Sequence, residues 1–433
     1  IYTLSLHDAL PIWSAGRNDN HQLGQGSASA KEAAPVAIKG AGGKGVLGAE
    51  LKVVRLAAGK DAAIAIMEDH TAYAWGLNEY GRLSTNGVST NYPAKMAGVN
   101  NAFDASVGPY HVAILNCDAT VLTAGRNEYG ELVRGYKNSG ESLVGAARKK
   151  IPEGQAILSG ITSVATGVHH TVMNVYEYDA SEKTLVNRVM TSGYGSYGQI
   201  GNGKNTSENI MPVRARNSDD TADLSGVAAV AADRYGSAAL MHDGTIYAWG
   251  YGSYGQLGNA EFKSSNLPVK VIADNVHGNP FEHAMLLTSD GTANHKVAAN
   301  EYGGVYAWGV NGEGQLGDGS GVNQGYPVMT GTAPLKMSAS IIRLKPYVAE
   351  PYAYGIASVD KSDKPFYLFK QQGGSSELEW TVLDPSRAKI RIKGSSAGFT
   401  NTVKTDKEIE IKGLVNGETI ADQIGRASCR ERV

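Results

Sequence analysis

One pattern returns six times in the 433 residues, and repetition at that spacing narrows the available folds more than composition does. Its clearest copies run Tyr247-Ala-Trp-Gly-Tyr-Gly-Ser-Tyr-Gly-Gln-Leu-Gly258 and Tyr306-Ala-Trp-Gly-Val-Asn-Gly-Glu-Gly-Gln-Leu-Gly317, with a third from Tyr73 to Ser84. Weaker copies begin at Trp13, Leu122 and Met190. Each is anchored on its first glycine: Gly16, Gly76, Gly125, Gly193, Gly250 and Gly309, at intervals of 49 to 68 residues. That interval suits a four-stranded unit with loops and exceeds a leucine-rich or ankyrin repeat.

The columns of the repeat carry physical meaning. Three before the anchor stand Trp13, Tyr73, Leu122, Met190, Tyr247 and Tyr306; seven after it stand Leu23, Leu83, Leu132, Ile200, Leu257 and Leu316. Both columns read as core contacts. Five after the anchor, glycine fills every copy except the first, which has His21, so this turn position predicts positive φ or close backbone approach. Asn18, Asn78, Asn127 and Asn311, two after the anchor, suit an amide that bonds the turn backbone. Upstream of most anchors lie two short period-two segments, such as Val54–Gly59 with Ala62–Ile66 and Val227–Ala232 with Ser237–Leu240, which read as strands. His242-Asp-Gly-Thr245 then signals a hairpin turn. Small Ala and Gly residues suit strands crowded near a central axis.

The Tyr-Ala-Trp-Gly-x-Asn-x-x-Gly-Gln-Leu-Gly signature with its upstream Ala-Ala-Gly strand resembles the regulator of chromosome condensation repeat family, which includes the alpha-tubulin suppressor-like proteins. The resemblance implies an all-β fold, a β-propeller of about six to seven four-stranded blades, over residues 13–335. Gly76, Gly125, Gly193, Gly250 and Gly309 would then be structural repeat positions, with Trp75, Trp249 and Trp308 before three of them. The tryptophan becomes Ala15, Ala124 and Ser192 in the other copies, and the family's strand histidine is kept as His111 and His170. The segment from Tyr176 to Val189 reads as an insertion.

After Pro334 the pattern fades. Leu378–Ser386, Ala388–Ile392 and Ile409–Ile420 resemble a small bacterial Ig-like β-sandwich over 336–423, with Trp380 in its core. Tyr354–Val359 echoes Tyr235–Leu240, so 336–362 reads as either a degenerate blade or a linker. The ends, 1–12 and 424–433, resemble translated sequencing adapter, which makes the chain a truncated fragment and Cys429 foreign to it.

Chemistry-bearing motifs are few. Two cysteines, Cys117 and Cys429, make neither a disulfide framework nor a cysteine zinc site. A net charge of −2 gives no bulk attraction to nucleic acid, and no 18-residue apolar run spans a membrane. Gly40-Ala-Gly-Gly-Lys-Gly45 and Gly201–Thr206 lack phosphate-loop spacing and context. His169 and His170 are adjacent and so point to opposite sides of a strand; His277 and His283 lack a zinc motif; all read as capped or exposed loop residues. Asp69, Asp243 and Asp290 read as one hairpin-turn position in three units, not as a catalytic set. Asp318–Asn323 is too short for a calcium loop.

The expectation is therefore a non-enzymatic binding protein without catalytic residues, metal or cofactor. Its partner is another protein or an extracellular ligand, and the chain is a monomer from a bacterial secreted or cell-surface protein. Tyr80, Tyr129, Tyr197 and Tyr254, four after the anchor in a Gly/Ser/Asn turn, are the binding candidates. The competing expectation for these four is that they fill gaps between blades. Two alternative functions stand: an exchange factor for a small GTPase, and a hydrolase with converging carboxylates at the central channel.

Overall fold

The computed structural model describes residues 12–330, except 50, 86–88, 152–153, 180–183, 274–276 and 302, and beyond them only the backbone of short strands between 352 and 410. Five four-stranded sheets follow one another, each an antiparallel meander in chain order. They are blade 1 (53–95), blade 2 (102–146), blade 3 (161–214), blade 4 (227–270) and blade 5 (284–329). Ahead of them, Trp13–Asn18 pairs with Ser29–Ala37 in a two-stranded sheet that corresponds to the outer half of a blade. Five four-stranded blades, not six or seven, thus stand among the described residues. A longer hairpin, His170–Asp179 with Thr184–Gly193, is the insertion expected in blade 3.

The first strands of successive blades pack against one another, from Val53–Ala58 through to Ala284–Thr288. Small residues are required there. A Cβ on Gly59 would lie 2.3 Å from the Val107 carbonyl oxygen of the next blade. In the first turn of blade 5, a Cβ on Gly291 would lie 2.5 Å from the Thr166 carbonyl oxygen of blade 3 and 3.4 Å from Pro109 of blade 2. Contacts between non-neighbouring blades at this point place the first strands around a shared centre.

The core lies between adjacent sheets. Ile64, Ile66 and Leu83 of blade 1 meet Val107, Val112 and Ile114 of blade 2, and equivalent clusters fill the other joints. The leucine or isoleucine seven after each anchor is buried in all six copies. Trp13, expected in the core, is exposed, because the two-stranded sheet has no further strand beside it among the described residues.

The tryptophans explain the repeat across blades. Each Nε1 donates to a main-chain carbonyl of the preceding copy: Trp75 to Gln22 at 3.0 Å, Trp249 to Gln199 at 3.0 Å and Trp308 to Gln256 at 3.2 Å. Each ring covers a left-handed glycine of that copy, Gly24, Gly201 or Gly258, where a Cβ would come within 2.6–2.9 Å of the indole. The same left-handed position holds Ser84 and Val133 ahead of Ala124 and Ser192. The chain therefore exchanges size across the joint: glycine faces tryptophan, and a larger residue precedes a small one.

All six anchors have positive φ, between 106° and 113° apart from Gly76 at 97°. Five residues later the backbone is again left-handed in every copy, including His21 at 62°. Beyond residue 330, Tyr352–Ala357, Tyr367–Gln372 and Glu377–Thr381 form an antiparallel meander. Trp380 lies in the last of these strands; its place in a core, the rest of the Ig-like expectation and the adapter expectations, Cys429 included, lie outside the described residues.

Candidate binding surface

Each unit exposes two turns on the same face, one joining its first and second strands and one joining its third and fourth. The third-to-fourth turn is held from beneath. Asn18, Asn78, Asn127 and Asn311 are buried, and each accepts through Oδ1 from the main-chain N–H of the leucine five residues on, at 2.7–3.1 Å. Their amide nitrogens donate to carbonyls of Ser27, Thr85, Tyr136 and Ser320 that close the loop. Six after the anchor, Gln22, Glu131, Gln199, Gln256 and Gln315 each accept from the N–H two residues earlier. In blade 1 the residue there is Arg82, which has no acceptor to offer, and the residue two before it, Tyr80, turns left-handed at φ 57°. Arg82 instead donates to the carbonyls of Leu77, Gly108 and Pro109 and, buried, has its pKa pushed down to about 10 by desolvation.

In every copy but that of blade 1 the N–H four after the anchor is thus bonded within the turn, and the tyrosine side chains at that position are left to solvent. Tyr80, Tyr197 and Tyr254 are 37–40% exposed and Tyr129 is half-buried. They are not isolated. Tyr110, His169 and Tyr235, each immediately before a second strand, and Tyr194 and Tyr251, each one after an anchor, join them in one run. Its centroid separations are Tyr80–Tyr110 6.0 Å, Tyr110–His169 5.6 Å, His169–Tyr129 5.3 Å, Tyr129–Tyr194 5.0 Å, Tyr194–Tyr197 6.0 Å, Tyr197–Tyr251 5.3 Å and Tyr251–Tyr254 5.8 Å. Tyr235 leans on Tyr197 at 5.0 Å. Arg126 lies 5.3–5.8 Å from the rings of Tyr80, Tyr110 and Tyr129, and Arg234 lies 5.4 Å from Tyr235. An aromatic arc with two stacked guanidinium groups therefore crosses blades 1 to 4. At its two ends the same positions hold Arg17 and Asn20, and Asn294, Val310 and Glu313.

Tyr80, Tyr129, Tyr197 and Tyr254 are thus brought together by five further rings that lie outside their repeat column. The signal was present: Tyr110, His169 and Tyr235 share one column before a strand whose first residue is small or histidine. Tyr80, Tyr197 and Tyr254 are more than a third exposed, whereas Leu83, Ile200 and Leu257 of the same turns are fully buried.

Below the arc the histidines correct the loop expectation. His111 and His170 are fully buried at the start of their strands. His111 Nε2 meets Thr171 Oγ1 at 2.9 Å; His170 Nε2 meets Ser237 Oγ at 3.1 Å. Each bond joins one blade to the next. Desolvation pushes their pKa values down to about 3 and about 4, so both rings are neutral. His295 of blade 5 occupies the same strand position, a third copy of the column. His169 alone reaches the arc, its Nδ1 3.7 Å from buried Glu131 Oε1. His283 pairs with Glu301 at 2.9 Å. Lys296 and Asp233, both fully buried, form an ion pair between blades 5 and 4.

Asp69 and Asp243 lie in the turns between second and third strands, as expected, but Asp290 does not. It sits in the first turn of blade 5, on the arc face beside the centre. The three looked equivalent because each Oδ1 accepts from the N–H and hydroxyl of a threonine two residues on, a local motif usable in any tight turn. Among the described residues no three His, Cys, Asp or Glu side chains cluster as a metal site. No helix among them is long and apolar enough to cross a membrane. Gly40–Gly45 forms a short 3-10 turn with no helix after it.

The model for the regulator of chromosome condensation (RCC1) repeat matches residues 69–115, 243–284 and 302–338, and a second RCC1 repeat model matches 53–82. RCC1 repeats thus cover blade 1, the first half of blade 2 and the second halves of blades 4 and 5. The matches skip 116–242, which holds Ala124 and Ser192, two positions where the joint tryptophan is replaced.

Among curated relatives, the chain is similar to the ultraviolet-B receptor UVR8 of Arabidopsis thaliana, 26% identical over 73% of this chain and 65% of the relative. It is similar to the protein RCC2 homolog of Danio rerio, 30% identical over 46% of this chain and 41% of the relative. The match to the human E3 ubiquitin-protein ligase HERC2 is 26% identical over 74% of this chain and 7% of the relative. The chain thus spans less than two thirds of the length of each. Two solved structures share the fold. Human WBSCR16 has a TM-score of 0.57 at 18% identity, over 83% of this chain and 87% of that one. Prp20p of Saccharomyces cerevisiae, described with its binding to Gsp1p and histones, has 0.55 at 20% identity, over 75% and 74%.

Proposed function

We propose that this chain is a non-enzymatic binding propeller that takes a partner protein on the tyrosine arc. One observation carries the reading: nine aromatic rings, three of them tyrosines more than a third exposed, run unbroken across four blades on turns whose backbone needs nothing from them. Tyrosine and arginine are enriched at the centres of protein interfaces because they offer large contact area and directional bonds at low entropy cost. Rigid blades below hold the rings in place, which lowers the ordering cost of association. Prp20p, with the same fold, binds other proteins, which is consistent with the reading. Setting the chain in a bacterial exported protein rests on the resemblance of its tail. The exchange-factor alternative rests on fold likeness alone, and fold does not fix function.

The test compares the immobilised protein with a Tyr197→Ala/Tyr254→Ala double variant of equal thermal stability. Proteins retained from source-cell extract and culture medium by the parent and lost by the variant support the reading. Identical retention by both overturns it.

A further inference from the structure

Two arginines on the arc stand on tyrosines of the same repeat position, and only one has an acid. Tyr110 precedes the strand His111–Asn116 and Tyr235 precedes Gly236–Met241. Arg126 lies 5.3 Å from the first ring and Arg234 lies 5.4 Å from the second. Arg126 is paired with the exposed carboxylate of Glu128. Arg234 is exposed and has no carboxylate partner among the described residues. The difference is written in the turn. Three after the anchor, the first three copies hold Asp19, Glu79 and Glu128, whereas the last three hold Ser196, Ser253 and Gly312.

We propose that Arg234, backed by Tyr235, receives a carboxylate from an acidic segment of the partner protein lying across the rings of blades 3 and 4. This rests on the arc being the contact face. A guanidinium with one face on a ring keeps its N–H edges free, and those edges match a carboxylate with two parallel bonds. The base of the side chain is fixed: the Arg234 N–H donates to the Ala293 carbonyl at 2.9 Å and its carbonyl accepts from the Val168 N–H at 3.4 Å, which ties it to blades 5 and 3. Tyr235 beneath it leans on Tyr197 at 5.0 Å, and the nearby acids are engaged elsewhere: Asp233 pairs with Lys296, and Asp290 accepts from Thr292. Glu128 on Arg126 shows within this chain what such a unit holds, and a carboxylate, not a phosphate, is the ligand that follows from it.

The experiment measures binding of fluorescein-labelled hexaglutamate, hexalysine and phosphoserine peptides to the full chain at low salt. Hexaglutamate is expected to bind best. Arg234→Ala is expected to weaken it about tenfold, the loss of one charge-assisted pair. Arg234→Lys is expected to recover only part, since an ammonium lacks the planar edge. Glu128→Gln, which frees Arg126, is expected to strengthen hexaglutamate binding. Preference for hexalysine or phosphoserine, or unchanged hexaglutamate binding by Arg234→Ala, overturns the proposal. If Arg234→Ala changes nothing while the Tyr197/Tyr254 double variant still loses its retained proteins, the carboxylate site fails and the arc stands. If neither matters, both fail.

Discussion

On the face away from the arc, acidic turn residues bond their own backbone. Asp69 accepts from Thr71, Asp118 from Thr120 and Asp243 from Thr245, through N–H and hydroxyl alike. On the arc face the turn is closed by buried Asn and Gln or Glu side chains, and the residue at its tip is released. The same strands thus end in two kinds of turn: one whose polar side chain is used up locally, and one that presents an aromatic ring. A turn stabilised from below leaves its tip open to selection for contact, whereas a self-bonded turn does not.

The largest expected effect ignores this difference. Trp249→Ala removes a fully buried indole from a joint that both faces share, and is expected to cost about 3–5 kcal/mol in urea unfolding. Hydrogen exchange should show both faces of blades 3 and 4 losing protection together; loss on one face only would contradict the size-exchange account of the joint.

Acid should separate the faces. His111 and His170 begin their strands at the arc end, and their folded pKa values lie below the ordinary 6.5. The unfolded chain therefore binds more protons below that pH. The stability is fully present above pH 6.5 and is lost as pH falls toward about 4 for His170 and about 3 for His111. The slope is up to about 1.4 kcal/mol per pH unit for each ring. Unfolding at pH 7.5, 6 and 5 should show this slope, with exchange rising first under the arc; a pH-independent midpoint would count against buried neutral rings.

Smaller effects sharpen the contrast turn by turn. Asn127→Ala leaves the Leu132 N–H and Tyr136 carbonyl without their partner and is expected to cost about 1–3 kcal/mol. Asp243→Ala, in an exposed turn, is expected to cost about 1 kcal/mol or less and to leave arc binding intact. Tyr197→Ala and Tyr254→Ala should each shift stability by about 0.5 kcal/mol or less, because surface rings away from the core contribute little. A loss as large as that of Asn127→Ala would make these tyrosines part of the core, which the gap-filling alternative requires.

The propeller was legible because its determinants repeat. Positive φ five residues after the anchors, burial of Leu83 or Leu257 and the hairpin at His242–Thr245 follow from columns that any single copy would leave ambiguous. Four of the nine rings of the arc were legible for the same reason. Tyr110, His169 and Tyr235 were not, since they lie in a different turn from Tyr129, Tyr197 and Tyr254, 19 to 28 residues away within each blade, and only the meander brings the two turns to one end of the sheet. His170 and Asp290 misled for opposite reasons. A histidine beside a loop looks exposed until the next blade covers it, and Asp-x-Thr looks the same in either turn.

The most direct measurement places a photo-crosslinking residue at position 254 on the arc and, in a second protein, at position 243 on the opposite face, each expressed in the source cell. The account predicts a covalent adduct to another polypeptide from 254 and none from 243. Adducts from 243 alone, or equally from both, would contradict it.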